Sequence, residues 1–568
     1  MDYDRRLDFI HKLTRTNLTC RKSLLELTTY GGTAMWWFVD LGFFSEMENG
    51  LESHQRVMDF VLFDVNKRIG VFFDALQMIL ARLVVRAYIR RPVRRIEKRL
   101  PKIVFTAQDI EWRIVIDDET GEPKKSDAFF DSVLKKLAFE CQCVGVYPVA
   151  TSRRLLSRQV IRSMAVLVDK LRNWYVPQRP FKFYLPLDAR KTMSAASRYF
   201  RSAWSQLEGD QTFRDILASE EKVAGLVRSK IERYFRIAFP HAVQLVEIAR
   251  QMIDKENPDL ILIQNEYGPF ERSLVVAAKQ RGVPTLAIQH GEISPYHRGY
   301  MYSADEISAD GSARSPYCPI PDKTAVYGPY HKDLLTKVSA YPENSVVVTG
   351  QPRYDRLHHM EKIYSRLSAL KEYGISSRHR VVLWATQCHG LSMEENISNF
   401  RAVLGAIAGI SNTALIIKQH PGEAENYTRM IRDFVRGSKS NVLITSGTSD
   451  MYEQLFICDL LIAKHSTTVI EAVALDKPVI ILNLMGKEGA EYSVDYVREG
   501  IATEVHREEE LRPAIEKLLR DDSELSRNRK KFIERHLYKI DGKATERVVR
   551  IIRQMVGVAP SNTDVSAA

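Results

Sequence analysis

Short, wholly apolar runs alternate with helix-length amphipathic segments over most of the chain. Residues 415–417, 442–444, 460–463 and 479–482 are such runs, each separated from the next by enough residues for a helix or a turn. A strand that is apolar at every position, rather than at every second one, is buried on both faces. The pattern therefore predicts parallel strands, with right-handed crossovers placing helices on each side of a sheet. The same rhythm begins at residue 380 and runs to a helix near 519, and it is present earlier at 102–106, 143–147, 259–264, 283–292, 323–327 and 345–349. Two α/β domains are expected, over residues 102–350 and 351–557, with the long helix at 544–555 crossing back to the first.

The remaining segments read differently. Residues 1–101 are mostly helical in pattern and hold an aromatic cluster, GGTAMWWFVDLGFF, at 31–44. Its adjacent tryptophans suit a ligand or a membrane interface, but packing against the neighbouring domain is the expectation, because large aromatics are common core material. Residues 151–257 carry helical patterns and no strand signal, and read as a helical insertion in the first domain. Residues 117–123 (DDETGEP) read as a solvated turn. The stretch after Gly291 as far as Pro321, rich in Ser, Tyr, Gly and Pro, reads as a long loop of the kind that often forms a lid. The tail at 558–568 is expected to be disordered.

With 568 residues, 45% hydrophobic and 27% charged, the composition is that of a soluble protein of two domains or slightly more. The net charge of +11 favours an anionic partner. Part of that charge is concentrated at the end of a helical pattern, in Arg86, Arg90, Arg91, Arg94, Arg95, Lys98 and Arg99. Such a run suits peripheral contact with an anionic bilayer, at roughly 1 kcal/mol per basic residue. It equally suits a solvated helix end, where cations complement the dipole. No nucleic-acid motif accompanies it, so nucleic acid is not expected as a partner. The six cysteines show no metal-ligand spacing beyond a single Cys-X-Cys and read as reduced thiols. The N-terminus lacks the pattern of a signal peptide, and the best apolar stretch, 71–85, is too short to span a bilayer and contains Asp74, Gln77 and Arg82. A cytoplasmic location is expected, with the inner face of the membrane as the surface for any peripheral contact.

Candidate chemistry falls at strand ends, where α/β sheets bind their ligands. Lys418, His420 and Pro421 follow one strand; His465, Ser466, Thr467 and Thr468 lie where another strand gives way to a helix. A helix start presents free N–H groups to an anion, and hydroxyls add donors, although Ser and Thr serve equally as ordinary caps. Glu471, about a turn farther on, is placed either on ribose hydroxyls or on an exposed helix face. In the first domain His290 and Gly291 directly follow a strand. No Gly-X-X-X-X-Gly-Lys-Ser/Thr loop, Gly-X-Gly-X-X-Gly fingerprint or Gly-X-Ser-X-Gly elbow is present, which argues against an ATPase, a dehydrogenase and an α/β-hydrolase.

His420-Pro421, then Ser466-Thr467 at a helix start, in the second of two α/β domains, resembles the GT-B glycosyltransferases. The pattern is most similar to bacterial sialyltransferases, capsule Kdo transferases and CDP-glycerol glycerophosphotransferases, and His290-Gly291 is similar to a His-Gly motif of the last group. The resemblance covers roughly residues 259–555. It implies two Rossmann-like αβα domains facing a central cleft. It also implies a metal-independent transferase, of inverting type, that moves a sugar or polyol phosphate from a nucleotide-activated donor to a surface polysaccharide or lipid-linked glycan, with no cofactor.

On that reading His290 is the catalytic base and His420 also takes part in catalysis. Lys418, His420, Pro421, His465, Ser466, Thr467, Thr468 and Glu471 hold the donor, and Gly291, Glu292 and Arg353 lie on the acceptor side. Where sialyltransferases and Kdo transferases carry an acidic pair before glycine, this chain has Gln289-His290-Gly291. The segment TGQPRYD, at 349–355, also resembles the UDP-N-acetylglucosamine 2-epimerases, which makes a nucleotide-sugar epimerase the alternative. A protein of this fold that binds a glycan or a membrane partner without catalysis is the alternative of another class.

Overall fold

The computed structural model describes residues 3–49, 100–108, 111–116, 123–148, 165–170, 174, 176–186, 189–220, 223–388, 391–420, 423, 425–436, 441–447, 449–464, 466, 468–484 and 496–558. The basic run from Arg86 to Arg99, the turn at 117–122, Pro421, His465, Thr467 and the tail from 559 lie outside the described residues.

Two parallel sheets carry the structure. The first contains β1 (Lys102–Thr106), β2 (Gln142–Tyr147), β3 (Gln178–Pro180), β4 (Leu260–Gln264), β5 (Thr285–Ile288), β6 (Lys323–Val326) and β7 (Val346–Val348). Its order is β7-β6-β5-β4-β1-β2-β3. The second contains β8 (Arg380–Ala385), β9 (Thr413–Lys418), β10 (Asn441–Thr445), β11 (Leu460–Ala463), β12 (Val479–Leu482) and β13 (Thr503–Val505), in the order β10-β9-β8-β11-β12-β13. In each sheet the order reverses beside the first strand, between β1 and β4 and between β8 and β11. Crevices for ligands open at such reversals, beyond the strand C-termini. The architecture is the predicted one, two Rossmann-like αβα domains.

Burial explains why the strands read as continuous apolar runs. Every residue of β4, β5, β9, β11 and β12 is buried, and each fully buried Val, Leu or Ile contributes about 1.5–3 kcal/mol. Helices start where the chain supplies a cap. Ser392 and Glu395 form a reciprocal capping box at the head of Met393–Ala408.

Three features differ from the sequence reading. Gln178–Pro180 pairs with β2 at the sheet edge, inside the region read as largely helical and without strand signal; three residues, one of them Gln178, are too few to show an apolar run. The strands Trp112–Ile116 and Pro123–Asp127 form an antiparallel hairpin where only the turn was legible. The loop after β5 is packed rather than lid-like. Arg298, 1% exposed, reaches Asp40 Oδ2 at 2.8 Å and Glu306 Oε1 at 2.6 Å, while Tyr300 and Tyr302 are buried. This loop is thereby clamped to the N-terminal segment.

The tryptophans complete that contact. Trp36 packs on Phe43 and Tyr234, and Trp37 Nε1 donates to the Pro316 carbonyl at 2.9 Å. The aromatic cluster is thus core of the first domain. The C-terminal helix Ala544–Met555 returns to the first sheet, burying Val548, Val549 and Ile552 in the same apolar cluster as Ile103 and Leu137. Asp355 accepts from the backbone N–H groups of Ala544 and Thr545, at 2.8 and 2.7 Å, and so caps this helix.

Candidate active site

The crevice at the first sheet's reversal point is built from the ends of β1, β4 and β5. Glu111 follows β1, Gln264 closes β4 and His290 follows β5. Glu111 Oε1 lies 3.2 Å from His290 Nε2 and accepts from Gln264 Nε2 at 3.1 Å. Burial alone would raise the Glu111 carboxyl. The His290 hydrogen bond and the charges of Arg113 and Arg353 outweigh it and hold the group at about 2. Glu111 is therefore ionised under all ordinary conditions. The Glu111 side chain is 5% exposed and that of His290 31%, so the imidazole faces the crevice and the carboxylate stands behind it.

The backbone that carries His290 is pinned on both sides. Gln289, fully buried, accepts from the Tyr327 N–H at 2.8 Å and donates to the Gly291 carbonyl at 2.8 Å. Tyr327 donates its hydroxyl to the His290 carbonyl at 2.9 Å, and Gln351 donates to the Gln289 carbonyl at 3.2 Å. The Phe129 ring lies 5.7 Å from the imidazole. A methyl group placed on Gly291 would meet no atom within 4 Å, so the crevice is open beside it. Glu292 meets His331 Nε2 at 2.8 Å.

The second domain contributes a polar wall opposite. Glu471 is buried and accepts from the Tyr452 hydroxyl at 3.1 Å. Burial raises its carboxyl, opposed by Arg353, Tyr452, Arg113 and Arg356. Burial would lower the Arg353 guanidinium, yet Tyr452, Tyr354 and Glu471 around it keep it raised. Arg353 and Arg113 are thus electrostatic neighbours of both Glu111 and Glu471, one carboxylate from each domain. Glu471 sits at this domain junction, hydrogen-bonded to Tyr452.

The donor-side residues lie at the C-terminal ends of β9 and β11. Lys418 Nζ donates to the carbonyls of Ser446, Gly447 and Gln419 at 2.8, 2.9 and 3.2 Å. An ammonium has three donors, so these contacts engage all of them. Burial pushes Lys418 down to about 8, against Asp450 and Glu423. Its position makes it a brace between the ends of β9 and β10. His420 is exposed. Its loop is tied to the end of β8, because Thr386 Oγ1 and the Cys388 N–H both donate to Glu423 Oε1 at 2.9 Å. Ser466 Oγ accepts from the Thr468 N–H at 3.2 Å and caps the buried helix Thr468–Ala474. As an acceptor there, the hydroxyl still holds its own proton to donate. A small pocket at the β8–β11 reversal is lined by Thr386, Gln387, Asn396 and Lys464.

Glu111, Gln264, Arg113 and Tyr452 were missed from the sequence. Glu111 and Gln264 obey the rule that singled out His290, since they follow or end apolar strands. Applied to every strand end, that rule reaches both. Arg113 and Tyr452 have no such signal.

The sequence model of the CDP-Glycerol:Poly(glycerophosphate) glycerophosphotransferase family matches residues 191–554, well over half of the chain. No curated protein matches it. Among solved structures it is similar to the UDP-GlcNAc 2-epimerase of Neisseria meningitidis bound to UDP-GlcNAc, at 12% identity and TM-score 0.46, covering 80% of this chain and 100% of that one. The S. aureus MnaA–UDP co-structure is similar at 17% identity and TM-score 0.46, covering 81% and 99%. The calicheamicin glycosyltransferase CalG4 is similar at 11% identity and TM-score 0.45, covering 82% and 100%.

Proposed function

The chain belongs to the CDP-glycerol:poly(glycerophosphate) glycerophosphotransferase family, and from that premise we propose that it moves a glycerol phosphate, or a related sugar or polyol phosphate, from a CDP-activated donor to a hydroxyl of a surface polymer or lipid-linked glycan. It is a transferase with a nucleotide-activated donor. The observation that carries the finer reading is the Glu111–His290 pair at the end of the first sheet, which shares the charged neighbours Arg113 and Arg353 with Glu471 of the second domain.

In the transfer of a glycerol phosphate the acceptor hydroxyl attacks the phosphorus that bears the glycerol. A new O–P bond forms as the bond to CMP breaks, and the hydroxyl proton passes to His290. Glu111 on Nε2 favours the tautomer with its proton there, leaving Nδ1 as the base, and stabilises the imidazolium that results. General base catalysis of this kind contributes typically ~10² to 10⁴ in rate. His420 and Ser466 offset the negative charge on the leaving CMP, a role for which preorganised donors are most effective in a site closed to water. Lys418 and Glu471 support the site, one bracing the loops and the other holding Tyr452 and Arg353 at the junction. The acceptor is a membrane-anchored or polymeric glycan, and the positive charge of the basic run ending at Arg99 draws the protein to an anionic bilayer.

The test is turnover of CDP-glycerol with a glycerol-phosphate-primed lipid acceptor, read as CMP release. Wild type is expected to release CMP only with acceptor present, and His290→Ala to lose nearly all of that rate. No release from CDP-, UDP-, CMP- or GDP-activated donors would overturn the reading. So would a new epimer, seen by NMR, when donor is incubated alone.

A further inference from the structure

A second cluster of ligating side chains lies at the junction of the two domains and includes Glu292, which the sequence reading placed on the acceptor side. Glu292, His331 and His536 each place one ligand atom within 4.8 Å of the others, and both histidines are almost wholly buried. His331 Nε2 meets Glu292 Oε1 at 2.8 Å. The other potential ligand atoms, Glu292 Oε2, His331 Nδ1 and both ring nitrogens of His536, are buried and have no hydrogen-bond partner among the described residues. Buried polar atoms are rarely left this way, and four in one cluster ask for an explanation.

The surrounding structure holds these groups in place. The His536 ring stacks with Phe532 at 4.0 Å and 10° and with Tyr330 at 4.2 Å and 23°. Stacking engages the ring faces and leaves its edge, where the nitrogen lone pairs lie, open to a ligand. His536 sits in a π-helical turn, Ile533–Leu537, and a second such turn, Leu334–Val338, follows the helix that carries His331. Turns of this kind are frequent at functional sites. Gly328 precedes the His331 helix, and a Cβ there would lie 2.4 Å from the His536 carbonyl carbon. The missing side chain is what allows the two histidine-bearing segments to close on one another.

We propose that Glu292, His331 and His536 bind one divalent transition-metal ion, zinc being the best match, and that this ion ties the C-terminal segment to the first domain. Two imidazoles and one carboxylate suit zinc and its neighbours in the first transition row, whereas magnesium and calcium take oxygen ligands. Zinc binds such atoms at about 2.0–2.2 Å, so tetrahedral ligands stand roughly 3.3 Å apart. Binding an ion draws the ligand atoms, now within 4.8 Å of one another, to that spacing, and Glu292 gives up its hydrogen bond to His331 for it. Water fills the fourth position. The ion is a structural tie and takes no part in the transfer step proposed above.

The full-length protein is purified, loaded with zinc, desalted and assayed by elemental analysis, and its cobalt form is read by visible absorption. One zinc per chain and tetrahedral cobalt bands are expected, together with a rise in melting temperature on adding zinc. His536→Phe keeps the stacking and removes the ligand; it should retain less than about a tenth of an equivalent and lose the zinc-dependent rise. His331→Gln should do the same, which covers the case in which His536→Phe does not fold. Wild type holding less than about a tenth of an equivalent after loading, or full occupancy in a folded variant, would overturn the proposal.

Discussion

Glu111 and His290 stand 179 residues apart in the sequence and 3.2 Å apart in the fold, the carboxylate behind the imidazole at the reversal point of the first sheet. Glu111 lies outside the stretch matched to the glycerophosphotransferase family, and His290 lies within it. The pair therefore joins residues from both sides of the family boundary.

If Glu111 orients His290 and stabilises its protonated form, Glu111→Gln should lower kcat by about 10² or more with little change in KM, and His290→Ala by about 10² to 10⁴. The double variant should be no slower than His290→Ala alone, because the two act as one unit. Steady-state CMP release checks all three, and fully additive losses would separate the two residues.

The same pair makes a prediction about acid stability. Glu111 is held at about 2, below its ordinary value of 4.5. A carboxyl depressed in the folded state contributes fully above its unfolded pKa, and that contribution is lost as pH falls toward the folded value. The gap in melting temperature between wild type and Glu111→Gln should be widest near neutrality and narrow below about pH 4.5. Scanning calorimetry across that range checks it, and a constant gap counts against the assignment.

On the donor side, Ser466 caps its helix and still has a proton to donate. Ser466→Ala should cost about 1 kcal/mol of stability. It should also weaken binding of CDP by roughly tenfold, equivalent to one charge-assisted hydrogen bond. Calorimetric titration with CDP separates these effects. A stability loss with unchanged affinity would leave Ser466 as a cap alone.

Arg298 is the clamp between the loop after β5 and the N-terminal segment. Arg298→Met would strand Asp40 and Glu306, both about 2% exposed or less, without their shared partner. Removing one member of a buried ion pair costs about 3–5 kcal/mol. Urea unfolding should show that loss, and proteolysis should release the segment around Trp36 and Trp37 earlier than in wild type.

What the sequence by itself determined was the local pattern. The apolar runs at 415–417 and 460–463, and that within 259–264, lie in strands buried on both faces, and such strands announce themselves without any knowledge of their neighbours. The strand-end rule placed His290 and Ser466 correctly at strand C-termini for the same reason. In the hairpin of Trp112–Ile116 and Pro123–Asp127 the second strand, PKKSD, is polar, and the edge strand Gln178–Pro180 is only three residues long, so neither pairing shows as an apolar run. Only the tertiary structure decided which strand ends share a crevice. Strand order is set by crossovers and long-range packing, so nothing local says that β1 lies beside β4, or that Glu111 meets His290. The same holds for Lys418, whose ammonium faces carbonyls of the next strand's loop, and for Glu471, drawn to Tyr452 and the arginines at the domain junction. His536 reaches Glu292 and His331 because Gly328 leaves room for it, a contact between segments about two hundred residues apart that no periodicity records.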